Sequence, residues 1–180
     1  MDTALTDRTL FSIYGISIEH PKSWKICFDP KRGTDYTTGF FRIEDFVPRK
    51  GARLSLSLNW ERVPGGNAEF ASRFCETISQ EYRLQLNKTP YRIETMEMID
   101  FQGGKAAFVV SEYRATLGFV KRRSDPPVRV IQLAYYDEPS ERAVVASLMG
   151  HPDLVTEQEP LLRELVFSLR CHTVLKALSA

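Results

Sequence analysis

The stretch ARLSLSLNWERVPGGNAEFASRFCETISQEYRLQL, residues 52–86, decides the fold of this chain. Every second residue from Leu54 to Trp60 is apolar, and this period of two predicts a strand with one buried face. The segment Val63–Gly66 contains a proline and two glycines, which interrupt the strand. Apolar residues then recur at three- and four-residue steps, which predicts a helix capped by Asn67, with the stripe Ala71, Phe74, Cys75, Ile78 and Tyr82. Because the connection is short, we expect the strand's apolar face and the helix's stripe to pack against each other.

The rest of the chain adds strands on both sides of this unit. Residues 11–19 and 24–28 are predicted to form a first hairpin around the turn at 20–23. Residues 39–46 are predicted to form a third strand, which a turn connects to the strand at 54–60. After the helix, strands are predicted at 91–101, 106–115, 128–136 and 142–148, with a hairpin turn at 101–105. Residues 128–136 are apolar on both faces, which indicates an interior strand.

A second helix closes the chain. Thr156 and Glu159 match a capping box, and Pro160 would then lie in the first turn of the helix. The apolar stripe of this helix is predicted to pack on the sheet and consists of Leu161, Leu162, Leu165, Val166 and Leu169.

Size and composition favour a single domain. The chain has 180 residues, of which 43% are hydrophobic, enough for one sizeable core. We therefore expect one domain over residues 1–180, with short tails at 1–9 and 173–180. Its 24 basic and 23 acidic residues leave no overall field that would attract nucleic acid or a membrane. The three separated cysteines, the lack of an apolar leader and the lack of a membrane-spanning run predict a cytoplasmic protein with reduced, buried thiols.

The order of these elements predicts the α+β class, with an antiparallel sheet of about seven to eight strands sandwiched between helices as α/β/α layers. Four packing and turn features carry a resemblance to a known family. They are residues 15–18 followed by Pro21 and Trp24, the strand-to-helix unit 54–78, the Gly103-Gly104 turn, and the helix end at 166–170. On these features the chain resembles the Mog1/PsbP-like superfamily. Members of that superfamily bind other proteins without catalysis, so the resemblance implies an adaptor role, and it assigns no functional residue.

The candidate reactive groups of the sequence lack the spacing of a known site. Gly103-Gly104-Lys105 lacks the first glycine and the following Ser or Thr of a phosphate loop, so a plain turn is favoured. Cys171 and His172 are adjacent and would point in different directions, which argues against a metal site. His20 and His151 stand beside prolines and are predicted to be exposed loop residues. No catalytic residue, metal or cofactor is therefore predicted, although a triad assembled from distant residues stays open.

Two basic clusters are the candidate partner-binding residues: Arg49, Lys50 and Arg53, and Lys121, Arg122 and Arg123. They suit an acidic surface on a protein partner or a phosphate, and the alternative is a solvated loop that protects a sheet edge. Nucleic acid is not expected, because the aromatic residues fall on core faces. We therefore predict a non-catalytic protein-binding or adaptor protein. The alternative is a binding site for a small or lipid-like molecule between sheet and helix, with hydrolytic activity left open, and edge-to-edge pairing into a homodimer is also left open.

Overall fold

The computed structural model describes residues 5–28, 33–46, 53–66, 69–85, 91–114 and 127–172. In this part of the chain, ten strands and two α-helices follow one another, and a 3-10 turn over Glu138–Ser140 joins the eighth and ninth strands. The elements are β1 (Arg8–Ile13), β2 (Ile16–Pro21), β3 (Lys25–Phe28), β4 (Thr38–Glu44), β5 (Ser55–Arg62), α1 (Phe70–Gln85), β6 (Tyr91–Phe101), β7 (Gly104–Arg114), β8 (Pro127–Asp137), β9 (Arg142–Gly150), α2 (Pro152–Phe167) and β10 (Arg170–Cys171).

Seven strands form the main sheet in the order β3-β4-β5-β9-β8-β7-β6, and every neighbouring pair is antiparallel. The remaining strands form a small sheet in the order β1-β2-β10. The predicted α+β class and the size of the main sheet are confirmed. The interior strand predicted at 128–136 is also confirmed, because β8 lies between β9 and β7 and buries residues on both faces.

One face of the main sheet carries the large core. It is covered by α2 together with β2 of the small sheet, whose residues Ile16 and Ile18 are fully buried. Leu162 and Leu165 of α2 belong to the same buried cluster. The outer layer on this side is therefore part helix and part sheet, where the sequence predicted helix alone.

Helix α1 lies on the opposite face and contacts β6, β7 and β8. Ala107 and Ala134 form the floor beneath it, and their small side chains let the helix come close to the sheet. The expected packing of α1 on the apolar face of β5 is therefore wrong. Leu56, Leu58 and Trp60 belong to the large core on the α2 side, because the connection carries the chain round to the other face of the sheet.

The first hairpin also differs from the prediction. Residues 11–19 do not form one strand, since Tyr14 and Gly15 take positive φ angles of 49° and 75° and turn the chain between β1 and β2. Two successive residues with positive φ are typical of the tightest hairpin turns. β3 pairs with β4 in the main sheet instead. The predicted N-terminal tail is likewise too long, because Leu5 is buried and β1 begins at Arg8.

The predicted start of the last helix is wrong as well. Helix α2 begins at Pro152, with His151 as its N-cap, and Pro160 therefore lies inside the helix. Pro152 suits the first position of the helix, because the backbone N–H that proline lacks would have no hydrogen-bond partner there. The helix ends at Phe167, and β10 follows. Asn67 and residues 173–180 lie outside the described residues. Neither described helix has the length and apolar character needed to cross a membrane.

Candidate functional site

A cavity of about 320 Å³ lies where the C-terminal half of α1 passes over the main sheet. The N-terminal half of α1 packs tightly on alanines, and neither of the two described helices contacts this face of the sheet near β5. A volume of this size suits a small ligand. The lining residues are Ser57, Ile78, Glu81, Tyr91, Ser111, Tyr113, Arg114, Val130, Gln132, Ser147 and Met149.

The strand register explains why these residues share one floor. Ser57, Ser147 and Gln132 are direct cross-strand partners on β5, β9 and β8. The next row across the sheet is Met149, Val130 and Ser111, and the row after that pairs Tyr113 with Tyr91. Side chains two residues apart on a strand point to the same face, so the three rows form one continuous surface.

Hydrogen bonds order the hydroxyls of this floor. The Ser57 hydroxyl donates to the Ser147 carbonyl over 3.3 Å, and the Gln132 amide donates to the Ser147 hydroxyl over 3.1 Å. Ser57, Ser111 and Ser147 are all buried. The Gln132 amide oxygen and the second N–H of the same amide remain available to a ligand, since an amide can accept and donate several hydrogen bonds.

A pair of tyrosines forms one wall of the cavity. The rings of Tyr91 and Tyr113 are stacked at 5.9 Å with planes 17° apart, and Tyr82 of α1 lies 5.7 Å from Tyr91. Burial and the nearby Glu81 carboxylate raise the pKa of Tyr91, against a hydrogen bond with Ser111 that lowers it. Burial, Tyr91 and Glu81 also raise the pKa of Tyr113. Both phenols are therefore protonated at neutral pH and offer O–H donors.

The lining contains two charged residues, Glu81 from α1 and Arg114 from the end of β7. Both side chains are exposed, and neither forms an ion pair with another described residue. The remaining polar lining groups are hydroxyls and an amide. This arrangement can hold a molecule by hydrogen bonds and charge, and the described lining residues include no His, Cys or Lys.

Sequence reasoning missed this site for a physical reason. The serines of β5 alternate with leucines, so they were interpreted as a solvent-facing side. The available signal was Gln132, which interrupts the otherwise apolar interior strand and would need a polar partner if buried.

Of the predicted partner-binding residues, Arg53 is in the described part of the chain, and it is outside the cavity lining. Arg53 is exposed, and its guanidinium lies 5.4 Å from the centre of the Phe46 ring, with Lys25 on the same ring at 5.3 Å. Arg49, Lys50, Lys121, Arg122 and Arg123 are outside the described residues. The structure therefore brings none of the predicted basic residues into the cavity within the part it describes.

Two histidines, His20 and His172, are hydrogen-bonded to neighbouring residues in the structure. His20 was expected in an exposed loop, but it lies in β2 and is 5% exposed, with Nδ1 at 2.9 Å from the Pro21 carbonyl. Burial lowers the pKa of His20 more than that hydrogen bond raises it, so the ring is neutral at pH 7. His172 lies 2.8 Å from the Ser17 hydroxyl. Ser17 is 1% exposed, so a substrate cannot approach this Ser–His pair as it stands.

The cysteines are free and partly buried, whereas buried thiols were predicted. Cys171 lines a second depression at the other end of the strands, between the β6–β7 turn and the 3-10 turn. Burial and the Asp137 carboxylate raise the pKa of its thiol to about 12, against the opposing effect of Arg142. The thiol is therefore protonated at neutral pH and is a poor nucleophile. The described residues include no group of three or more metal-ligating side chains.

Comparison with known proteins defines the fold. Neither a family model nor a curated protein matches the chain. Among solved structures, CyanoP, the cyanobacterial PsbP of Synechocystis sp. PCC 6803, is similar over 92% of this chain and 93% of its own, with a TM-score of 0.61 and 15% identity. PA94 of Pseudomonas aeruginosa, a protein of unknown function, is similar over 91% of this chain and 96% of its own, with a TM-score of 0.50 and 13% identity.

The chain therefore has the Mog1/PsbP-like fold, as the resemblance implied. At these identities the likeness concerns the fold and leaves the function to be argued from the site.

Proposed function

We propose that this protein is a non-catalytic binding protein whose ligand is a small polar molecule held in the cavity between α1 and the main sheet. The observation that carries the proposal is the convergence of neutral hydrogen-bonding groups from three adjacent strands, Ser57, Ser147 and Gln132, on the floor of one cavity.

The energetics support a polar ligand over a lipid-like one. Ser57, Ser147 and Gln132 already bond to one another, but an apolar chain on this floor would strip water from the amide oxygen and the second N–H of Gln132 without replacing its hydrogen bonds, at about 1–3 kcal/mol for each group. A polar molecule would instead complete their hydrogen bonds. The proposal therefore follows the small-molecule alternative of the sequence analysis and omits its hydrolytic activity, because the described lining has no histidine, cysteine or lysine beside its serine hydroxyls.

A ligand-detected NMR screen of small polar molecules tests this proposal. Gln132→Leu keeps the side-chain volume but removes the amide, so binders are expected to lose about tenfold in affinity, the equivalent of one good hydrogen bond. Gln80→Leu, on the exposed face of α1, is the matched control and should bind as the wild type does. A screen without binders, or binders that ignore Gln132→Leu, would overturn the proposal.

A second proposed function is the binding of a protein partner, as the sequence analysis predicted. It is supported by the exposed apolar residues Ile26 and Phe28 on β3, at the edge of the described sheet, with exposure of 38% and 53%. Exposed apolar side chains at a sheet edge favour association with another chain, including a second copy of this one. The proposed location is the cytoplasm, in keeping with three free cysteines.

The partner proposal is tested by affinity capture at mild salt. Arg122→Glu combined with Arg123→Glu is expected to leave the melting temperature unchanged and to weaken capture. A large fall in melting temperature would show that these side chains support the fold instead.

A further inference from the structure

We propose that the cavity takes a small zwitterion, a molecule with an ammonium group at one end and a carboxylate at the other, such as a free amino acid or a short peptide. This inference rests on the proposed function and names the chemical class of its ligand. Glu81 would receive the ammonium group and Arg114 the carboxylate.

Glu81 and Arg114 are the opposite charges of the described lining. Many described charged side chains have an opposite charge within ion-pair distance, as Arg62 has in Glu141 and Arg163 has in Glu159. Glu81 and Arg114 form no such pair with a described residue, yet both line the same cavity. Two unpaired opposite charges on one cavity suit a ligand that carries both signs.

The tyrosine wall favours an ammonium group at the Glu81 end. The Glu81 charge acts on both Tyr91 and Tyr113, and no cation acts on either phenol. The faces of aromatic rings attract cations, and a carboxylate beside them adds to that attraction. The electrostatic potential at this end of the cavity is therefore negative.

Arg114 supplies the complementary end. A guanidinium binds a carboxylate through two parallel N–H donors, a geometry that a water molecule or a hydroxyl cannot match. The formal charges of the described lining residues sum to zero, so a simple cation would leave Arg114 unpaired and a simple anion would leave Glu81 unpaired. A zwitterion satisfies both residues.

The floor between the two charges is neutral and offers donors as well as acceptors. Gln132 and Ser147 can bind the N–H and C=O of a peptide bond, since the amide of Gln132 and the hydroxyl of Ser147 each do both. A dipeptide therefore matches the cavity in charge and in hydrogen bonding.

Isothermal titration calorimetry with glycylglycine and two capped relatives tests the inference. N-acetylglycylglycine lacks the ammonium group, and glycylglycinamide lacks the carboxylate. We expect the wild-type protein to bind glycylglycine about two- to fivefold more tightly than either relative, which is the range for one solvent-exposed ion pair.

Two variants assign the ends. Glu81→Gln should abolish the preference for glycylglycine over the acetylated probe, and Arg114→Gln should abolish the preference over the amide. Glu76→Gln and Arg83→Gln, exposed on α1 and outside the lining, should change neither preference. Circular dichroism of each variant checks that the fold is kept.

Equal binding of the three probes would overturn the proposal of a zwitterionic ligand. So would a preference for glycylglycine that is unchanged in Glu81→Gln and in Arg114→Gln. Glycylglycine could bind weakly or not at all while the NMR screen finds an uncharged molecule whose binding Gln132→Leu weakens. That result would overturn the proposal of a zwitterionic ligand and would leave the proposed function standing. If no peptide probe binds and the NMR screen finds no binder, both the zwitterionic ligand and the proposed function are overturned.

Discussion

Gly39 is the residue at which one extra methyl group should matter most. It lies directly opposite Trp60 in the β4–β5 pair, and a Cβ at this position would overlap the Trp60 ring. Trp60 is 1% exposed, and its indole N–H donates to the Asp35 carbonyl over 2.9 Å, so the ring has no free space to move into. We expect Gly39→Ala to lower the free energy of unfolding by about 1–3 kcal/mol, measured by urea denaturation.

Gly33→Ala is the control for this experiment. A Cβ at Gly33 would have no atom within 4 Å, so this variant should unfold at nearly the same urea concentration as the wild type. A Gly39→Ala protein as stable as Gly33→Ala would show that the sheet yields easily at Trp60.

Glu159 links α2 to the sheet through charge. Its carboxylate lies 2.8 Å from Arg129 of β8 and 2.7 Å from Arg163, and Arg129 also pairs with Glu94 at 2.6 Å. Burial alone would raise the pKa of Glu159, but the hydrogen bonds and charges of Arg163 and Arg129 hold it below its ordinary value of 4.5. The stabilisation from this carboxylate is therefore complete above pH 4.5 and is lost as the pH falls through the lowered pKa.

Glu159→Gln tests this pH dependence. We expect the variant to be less stable than the wild type at pH 7, with a difference that shrinks as the pH falls below 4.5, because the wild-type carboxylate becomes protonated there. Urea midpoints at several pH values measure both proteins. A stability difference that stays constant with pH would rule out the ion pairs as its cause.

Single residues mark how far the sequence could predict this site. Aromatic residues are expected on core faces, and Trp24 and Trp60 are both buried. Glu81 and Arg114 could not be recognised, because an exposed charge on a helix and one at a strand end look like ordinary surface. They meet at one cavity only because α1 crosses the strands there.

At the scale of elements, α2 contains an interior proline. Pro160 lies in the ninth position of a helix that begins at Pro152, and it is exposed. Proline there removes the hydrogen bond to the carbonyl four residues earlier. We expect Pro160→Ala to raise the free energy of unfolding by about 1–2 kcal/mol, since part of the helical gain is offset by a more flexible unfolded chain.

Urea denaturation measures this effect, and Glu157→Ala, an exposed change in the same helix, is the control with little expected effect. A loss of stability in Pro160→Ala would contradict the prediction and would indicate that the proline makes contacts that α2 needs.

The larger apolar side chains through which α1 packs on the sheet, Phe70 and Phe74, are only partly buried. Phe74 lies on its sheet-facing stripe but is only partly buried, with Phe70 at 6.4 Å between ring centres. Phe74→Ala should therefore cost about 1–3 kcal/mol, less than the 3–5 kcal/mol of a fully buried phenylalanine. Thermal unfolding compares it with the exposed change Ser72→Ala, and equal stability of the two variants would mean that α1 is not anchored by its stripe.

Elements were predicted well where the apolar pattern is strong: the alternation of β5, the continuous apolar run of β8 and the helical stripe of α1. The sequence did not reveal which face of the sheet α1 covers, because a short connection allows either side. It also placed Thr156 and Glu159 at a helix start, although Glu159 serves the ion pairs with Arg129 and Arg163 inside the helix. Short-range patterns identify elements, whereas long-range contacts decide their partners.

At the scale of the whole molecule, the two faces of the main sheet are covered unequally. One face is covered by α2 and the small sheet, and the other is covered by α1 over β6 to β8. This inequality leaves space above the floor that begins at Ser57, Ser147 and Gln132. The proposed function follows from the architecture as well as from the lining residues.

A protein-observed NMR titration with the tightest binder from the screen tests this account most directly. The account predicts that the shifted signals cluster at the cavity, including the backbone amides of Ser111 and Ser147 and the side-chain amide of Gln132. Signals that shift instead around β3 and Arg53, with the cavity residues unchanged, would contradict it and would move the function to the outer surface.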